Sequence, residues 1–233
     1  DDWDHVMSLA QRLTLGTDKR LRIEPVPANA VLRGSRRRIE RTVMPANREI
    51  VLESIKGNTM ELELEIDPQQ ARWVRLDVLR SPKAEERTSI IFYNYDRVLS
   101  TWYHARGTVC LDTSRSSMLP DVWLRPPETA VAERRADSTA MDKPSAGPLP
   151  CLPALTLRVF IDRSVVEVFV NGKQYLATRV YPGRKDSVGV SLRAQGQDAV
   201  LNRLDAWQMK PIWPQESCNR IPGAFGMSRL ARR

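Results

Sequence analysis

Few residues in this chain are suited to metal or nucleophilic chemistry: the cysteines Cys110, Cys151 and Cys218 and the histidines His5 and His104. A structural zinc centre needs four nitrogen or sulfur ligands at close spacing, commonly from C-x-x-C pairs. These five residues are scattered and no two cysteines form such a pair, so no metal site is expected. The thiols read as buried or free, and their odd number argues against a disulfide framework. Arginines offer a second chemistry. Arg33, Arg36, Arg37, Arg38 and Arg41 cluster, and Arg220, Arg229, Arg232 and Arg233 crowd the C-terminal end. Such clusters neutralise phosphates. No helix-turn-helix, zinc-finger or RNP-type aromatic pattern accompanies them, so they read as a solvated basic face and tail, with no nucleic acid as partner. The third chemistry is aromatic. Trp73, Trp102, Tyr103, Trp123, Trp207 and Trp213 are rings of the kind that stack on sugar faces. A Trp inside a strand is usually a core residue, and that is the expectation for Trp73 and Trp207. Trp102 and Tyr103 stand at a strand end and are the candidate sugar contacts. Adjacent strand residues face opposite ways, so at most one of the two joins any one patch.

The elements that must position these residues are strands. The chain has 233 residues, with 42% hydrophobic and 27% charged residues and a net charge of +8. This is the composition of a globular protein, not of a disordered one. No run approaches the ~18 apolar residues of a membrane span, so no membrane partner is expected. The first residues lack both an initiator Met and an apolar leader, and read as the middle of something longer. Met60–Ile66 alternates strictly, apolar residues on one face and glutamates on the other, which predicts a strand with one wet face. Trp73–Leu79 follows as another strand. Ser89–Tyr95 and Val98–Tyr103 read as a pair about a short turn, and Thr108–Asp112 as a shorter strand.

From Leu155 the alternation is strongest. Leu155–Ile161 and Val165–Val170 flank a turn at Asp162-Arg163-Ser164. Asn171-Gly172 then turns the chain into Lys173–Val180, because both residues tolerate the positive φ of a type I′ turn. Ser187–Arg193 and Ala199–Met209 close the series. About twelve short strands, with no helix longer than two turns, predict an all-β fold: a two-sheet antiparallel β-sandwich, lectin-like or jelly-roll-like. Residues 1–20 read as the remnant of a junction with a preceding structure, 21–213 as the sandwich, 134–153 as a long Pro- and Ser-rich surface loop, and 214–233 as a flexible basic tail.

The stretch Leu157-Arg-Val-Phe-Ile-Asp-Arg-Ser-Val-Val-Glu-Val-Phe-Val-Asn-Gly-Lys173 resembles the signature of the C-terminal β-sandwich module of glycoside hydrolase family 32, the β-fructosidases. Trp3–Leu9, Arg12–Leu15, Leu21–Pro27, Asp112–Ser117 and Arg179–Pro182 agree with it. Ala10 stands where many members carry Pro, and Lys173 where many carry a second Gly. In that family the sandwich follows a catalytic β-propeller. Retaining glycosidases use two carboxyl groups about 5–5.5 Å apart. There the nucleophile is the Asp of Asn-Asp-Pro-Asn-Gly, a second Asp lies in Arg-Asp-Pro, and the acid/base is the Glu of Glu-Cys. The one Asp-Pro here, Asp67-Pro68, follows Ile66 and reads as a turn, and no Glu-Cys occurs. No catalytic residue carries over.

Within the signature, Asp162 is placed to cap the amides of Arg163 or Ser164. Glu167 shares a face with Val165 and Phe169, so its carboxylate must be paired or lie at an interface. With Asn171 and Gly172 these residues are expected to set turn and strand register, or to meet a neighbouring domain. The resemblance therefore implies an accessory, structural module of an enzyme that hydrolyses terminal β-fructofuranosides such as sucrose, levan or inulin. Its partner is a β-propeller that this chain does not contain, no cofactor is called for, and the chain alone is expected to be inactive. A face left bare by that partner should expose an apolar patch. The alternative is a free-standing fructan-binding module.

Overall fold

In a computed structural model of the chain the structure describes residues 7–94, 97–99, 102–104, 107–122, 128–131 and 154–212. They form β1 (Gln11–Leu15), β2 (Leu21–Pro25), β3 (Arg33–Ile39), β4 (Thr42–Met44), β5 (Glu49–Lys56), β6 (Thr59–Asp67), β7 (Trp73–Arg80), β8 (Thr88–Tyr93), β9 (Arg97–Leu99), β10 (Trp102–His104), β11 (Thr108–Asp112), β12 (Glu128–Val131), β13 (Leu155–Asp162), β14 (Val165–Val170), β15 (Gln174–Arg179), β16 (Gly189–Gln195) and β17 (Ala199–Met209). One 3-10 segment, Pro27–Leu32, joins β2 to β3. The strands exceed the expected twelve because three-residue pieces such as β4, β9 and β10 are too short to show a period.

Two antiparallel sheets stack into the predicted sandwich. One has six strands in the order β12-β11-β8-β7-β16-β5. The other has seven, β15-β14-β13-β6-β17-β3, with β4 also pairing β17. Leu62, Leu64, Val159, Val166, Val168 and Leu204 from the larger sheet face Leu76, Ile90, Val109 and Leu192 from the smaller in one buried cluster. The period-two pattern puts alternate residues on this inner face. Among the described residues, Ser89–Tyr93 does not pair with Val98–Leu99 or Trp102–Tyr103 as expected. β8 lies between β7 and β11, and β10 pairs with β9 instead. Alternation marks strands but does not say which neighbour each will take.

The glutamate face of β6 is only partly wet, with Glu63 and Glu65 half-buried. Glu61 is wholly buried. Arg33 grips it with Nε and Nη2 at 2.8 and 2.7 Å, and Arg158 Nε reaches it at 2.5 Å. Beside it, Asp205 accepts from Arg36 and from both Nε and Nη2 of Arg38; these bonds, Arg38's first, hold its carboxyl below the usual carboxylate range. Glu63 takes Arg203 at 3.2 Å. The basic cluster Arg33–Arg38 is therefore mostly a set of partners for this sheet's acids. Trp207 is half-buried on the same outer face, with the Arg33 guanidinium 3.8 Å above its ring. Trp73 is half-buried on the outer face of the other sheet, near Arg75 and Arg193. Neither is the core residue expected, because the core is filled by aliphatic side chains and a ring-plus-guanidinium stack shields indole just as well.

Candidate functional site

The signature stretch builds β13, the two-residue turn Arg163-Ser164, β14 and the Asn171-Gly172 turn. Asn171 and Gly172 adopt φ of 51° and 62°, and Lys173 N–H donates to Val170 O, which is the primed turn expected of Asn-Gly. Asn171 also bonds β13 twice: its Oδ1 accepts from Thr156 N–H at 2.8 Å and its own N–H donates to Thr156 O. The other turn differs from expectation. Asp162 is exposed, and its carboxylate finds no partner among the described residues. The amide of Arg163 donates instead to Asn58 O at 2.6 Å, and Ser164 O accepts from Val180 N–H. Neighbouring loops, not Asp162, hold this turn.

Glu167 lies on the outer face of the seven-stranded sheet and is 4% exposed. Its carboxylate accepts from Leu9 N–H at 2.9 and 3.2 Å and from the Tyr175 hydroxyl at 2.5 Å. Burial, then the bond to Glu167, pushes the Tyr175 phenol well above its usual value, so Tyr175 stays a donor. Phe160, Phe169 and Tyr175 form an aromatic strip beside it, with ring centroids 6.0 and 4.9 Å apart. The strip lies where the incoming chain crosses the sheet. Ile23 N–H donates to Gly172 O at 2.9 Å, and Glu24 sits against Gly172.

That incoming chain is the β1–β2 hairpin. It straddles residue 20, where the junction remnant was expected to end, so residues 7–20 and 21–25 form one unit. Cross-strand register sets Leu13 opposite Ile23 and Leu15 opposite Leu21, which places four aliphatic residues on one face. Arg12 opposes Glu24 on the other face and pairs with it at 2.7 Å. The apolar face is open: Leu13 is 61%, Leu15 73% and Leu21 49% exposed. A hairpin of two strands is marginal alone, and this one is tied down by backbone bonds rather than by burial of its leucines.

Asp67-Pro68 is a turn, as expected, with Gln69 N–H donating to Asp67 Oδ1. Among the described residues no three His, Cys, Asp or Glu side chains gather as the ligands of a metal would, and no helix is long and apolar enough to cross a membrane. Cys110 is buried. Cys151, Cys218, Trp123, Trp213, the 134–153 loop and the 214–233 tail lie outside the described residues. Trp102 and Tyr103 belong to β10, but their side chains lie outside them too. Sequence reasoning missed Glu86. It is fully buried, and its carboxylate gathers Met118, Gly183 and Arg184 N–H and the Ser187 hydroxyl from two distant loops. No local pattern marks it, because its partners lie up to 101 residues away.

A family model, glycosyl hydrolases family 32 C terminal, matches residues 30–208. The chain is 48% identical over 62 residues to raffinose invertase of Escherichia coli, covering 26% of this chain and 13% of that protein. It is 31% identical over 140 residues to beta-fructofuranosidase, insoluble isoenzyme 1, of Oryza sativa subsp. indica, covering 57% of this chain and 21% of that protein. The chain thus spans about an eighth to a fifth of the length of these relatives. Fructan 1-exohydrolase IIa from Cichorium intybus shares the fold, with a TM-score of 0.66 over 86% of this chain and 40% of its own, at 18% identity. The chain belongs to glycosyl hydrolase family 32, whose C-terminal β-sandwich domain it carries.

Proposed function

We propose that this chain is an accessory, structural module of a β-fructosidase-like glycoside hydrolase. It serves by seating a β-propeller catalytic domain that acts on sucrose or a fructan, and it performs no hydrolysis itself. The observation that carries this reading is the β1–β2 hairpin, whose Leu13, Leu15 and Leu21 are turned to solvent while its base is fastened at Glu167 and Gly172. Fully covering an exposed leucine is worth roughly 1.5–3 kcal/mol, so a partner surface over these three partly exposed side chains would gain about twice that. The hairpin precedes the sandwich in the chain, where the resemblance puts the propeller. In this role Glu167, Asn171 and Gly172 hold the junction, while the backbone of Arg163 and Ser164 ties the neighbouring turn to adjacent loops. The catalytic motifs absent from the sequence agree with a supporting role.

The test is calorimetric titration of the purified chain with levan, inulin oligomers and sucrose, with reducing-sugar release assayed on the same samples, followed by titration with a separately purified family 32 propeller. The expected result is no sugar release, no heat with sugars and binding to the propeller that Leu15→Asp abolishes. Heat with a fructan but no hydrolysis would instead make the chain a binding module, with Trp102 as the first residue to change. Hydrolysis that survives repurification would overturn the proposal.

A further inference from the structure

The segment Asp112-Thr-Ser-Arg-Ser-Ser117 has no part in the junction. It follows β11 and bends over the outer face of the six-stranded sheet, on the side of the sandwich away from Glu167. There Arg75 of β7, Arg87 just before β8 and Arg115 line a cavity of about 150 Å³ together with Ser89, Asp112 and Ser114. That is room for several waters, and so for a tetrahedral oxyanion.

The charges around it do not balance locally. Asp77 lies beneath, 1% exposed. It is already occupied by Arg75 Nε and Nη2 at 3.0 Å, by the Ser89 hydroxyl at 2.5 Å and by the Ser191 hydroxyl at 3.3 Å. Arg87 reaches the same carboxylate only at 3.7 Å and gives an Nη1 bond to Ala84 O. Asp112 is taken by Ser114 N–H at 2.8 Å. Arg115 has no ion-pair partner among the described residues. Three guanidiniums therefore face one space with the Asp77 carboxylate already bonded beneath it and the Asp112 carboxylate, which accepts only from Ser114 N–H, at its edge. Burial, together with the facing charges of Arg75 and Arg115, lowers the Arg87 guanidinium from its usual value despite Asp77. Guanidiniums crowded in this way, with hydroxyls between them, suit an oxyanion that accepts from several at once.

We propose that this cavity is an oxyanion site that takes a phosphate group, either free or carried on a hexose. Arg87 and Arg115 bind its oxygens, Arg75 contributes charge from its place on Asp77, and Ser114 donates from the rim. The proposal is independent of the propeller.

The experiment is calorimetric titration of the full chain at low chloride with inorganic phosphate and with a hexose 6-phosphate, using the neutral hexose as blank. Both phosphates should bind and the neutral sugar should not. Arg115→Gln should weaken binding roughly tenfold without moving the melting temperature in phosphate-free buffer, since Arg115 is exposed. Arg41→Gln, which removes an exposed cation on the β3–β4 turn of the other sheet, should leave binding unchanged. Tighter binding of the hexose phosphate assigns the site to a sugar phosphate, and equal or tighter binding of inorganic phosphate assigns it to the free ion. Absence of heat with either phosphate overturns the proposal. So does an Arg115→Gln chain that binds as the parent does, or an equal loss in Arg41→Gln, which would reduce the effect to overall basic charge.

Discussion

Glu61 and Glu167 stand on one row of the seven-stranded sheet, either side of Phe160, which pairs with both. Each carboxylate is on the outer face and each is buried, yet they are satisfied in opposite ways. Glu61 is closed off by Arg33 and Arg158, both part of the sandwich. Glu167 is closed off on one side by the sheet's own Tyr175 and on the other by the backbone of Leu9, in the chain that leads into the sandwich. A buried carboxylate paired from within its own domain holds that domain together. One paired from an arriving segment fastens that segment. Identical residue types on one face thus divide into a structural lock and an attachment point.

Glu61→Ala should break the contrast at its strong end. It leaves two guanidiniums facing each other without their shared acceptor, and a broken buried ion pair costs about 3–5 kcal/mol. Because both arginines keep some access to water, about 3 kcal/mol is expected, read as a lowered urea midpoint. A loss below about 1 kcal/mol would put Glu61 with the solvated surface pairs. Glu86→Ala should come next, at about 2–3 kcal/mol, since three amides and a hydroxyl lose their acceptor.

Glu86 also sharpens the comparison through pH. Burial alone would raise its carboxyl, but the Ser187 hydroxyl and the amides of Gly183, Met118 and Arg184 outweigh that and hold it below the usual range. Its stabilising contribution is therefore present above the unfolded value of about 4.3 and is lost as pH falls through the lower folded value. The melting-temperature gap between the parent and Glu86→Gln should accordingly narrow below about pH 4. A gap that widens there would reverse the sign of this assignment.

Glu167→Gln is expected to cost only about 1 kcal/mol globally, because the core beneath it is untouched. Its effect should appear in hydrogen exchange, with faster exchange at Leu9 and Ile23 and no change at Leu62 or Val168. Uniform acceleration across the sheet would make Glu167 a second Glu61. Smallest of all, Leu15→Asn should change stability by less than about 0.5 kcal/mol, as expected of an exposed side chain, while weakening any docking of the hairpin face.

Much of the molecule was legible from side-chain period. Strands β6, β7, β11, β13, β14 and β17 fall where alternation put them, to within a residue or so, and the Asn171-Gly172 turn has the positive φ values its residue types favour. Glu167 was marked as needing a partner because a carboxylate among apolar neighbours is costly unless paired. The identity of that partner was not legible, since Leu9 offers only a backbone amide, which carries no residue-type signal. Trp73 and Trp207 were misplaced because residue type alone does not distinguish an indole covered by aliphatics from one covered by guanidiniums. Asp162 was expected to cap its own turn, but Asn58, distant in sequence, reached the amide first.

The sequence by itself determined which residues share a face, where the chain must turn, and that the carboxylate motifs of the family's chemistry are missing. These are local properties, set by the two-residue pleat and by φ preferences. Only the tertiary structure decided which faces are covered and by what. Arg33, Glu61 and Arg158 meet across 28 and 97 residues of chain, and Arg75, Arg87 and Arg115 across 12 and 28. No local pattern encodes such a meeting, because burial and charge pairing depend on which strands become neighbours when the two sheets close.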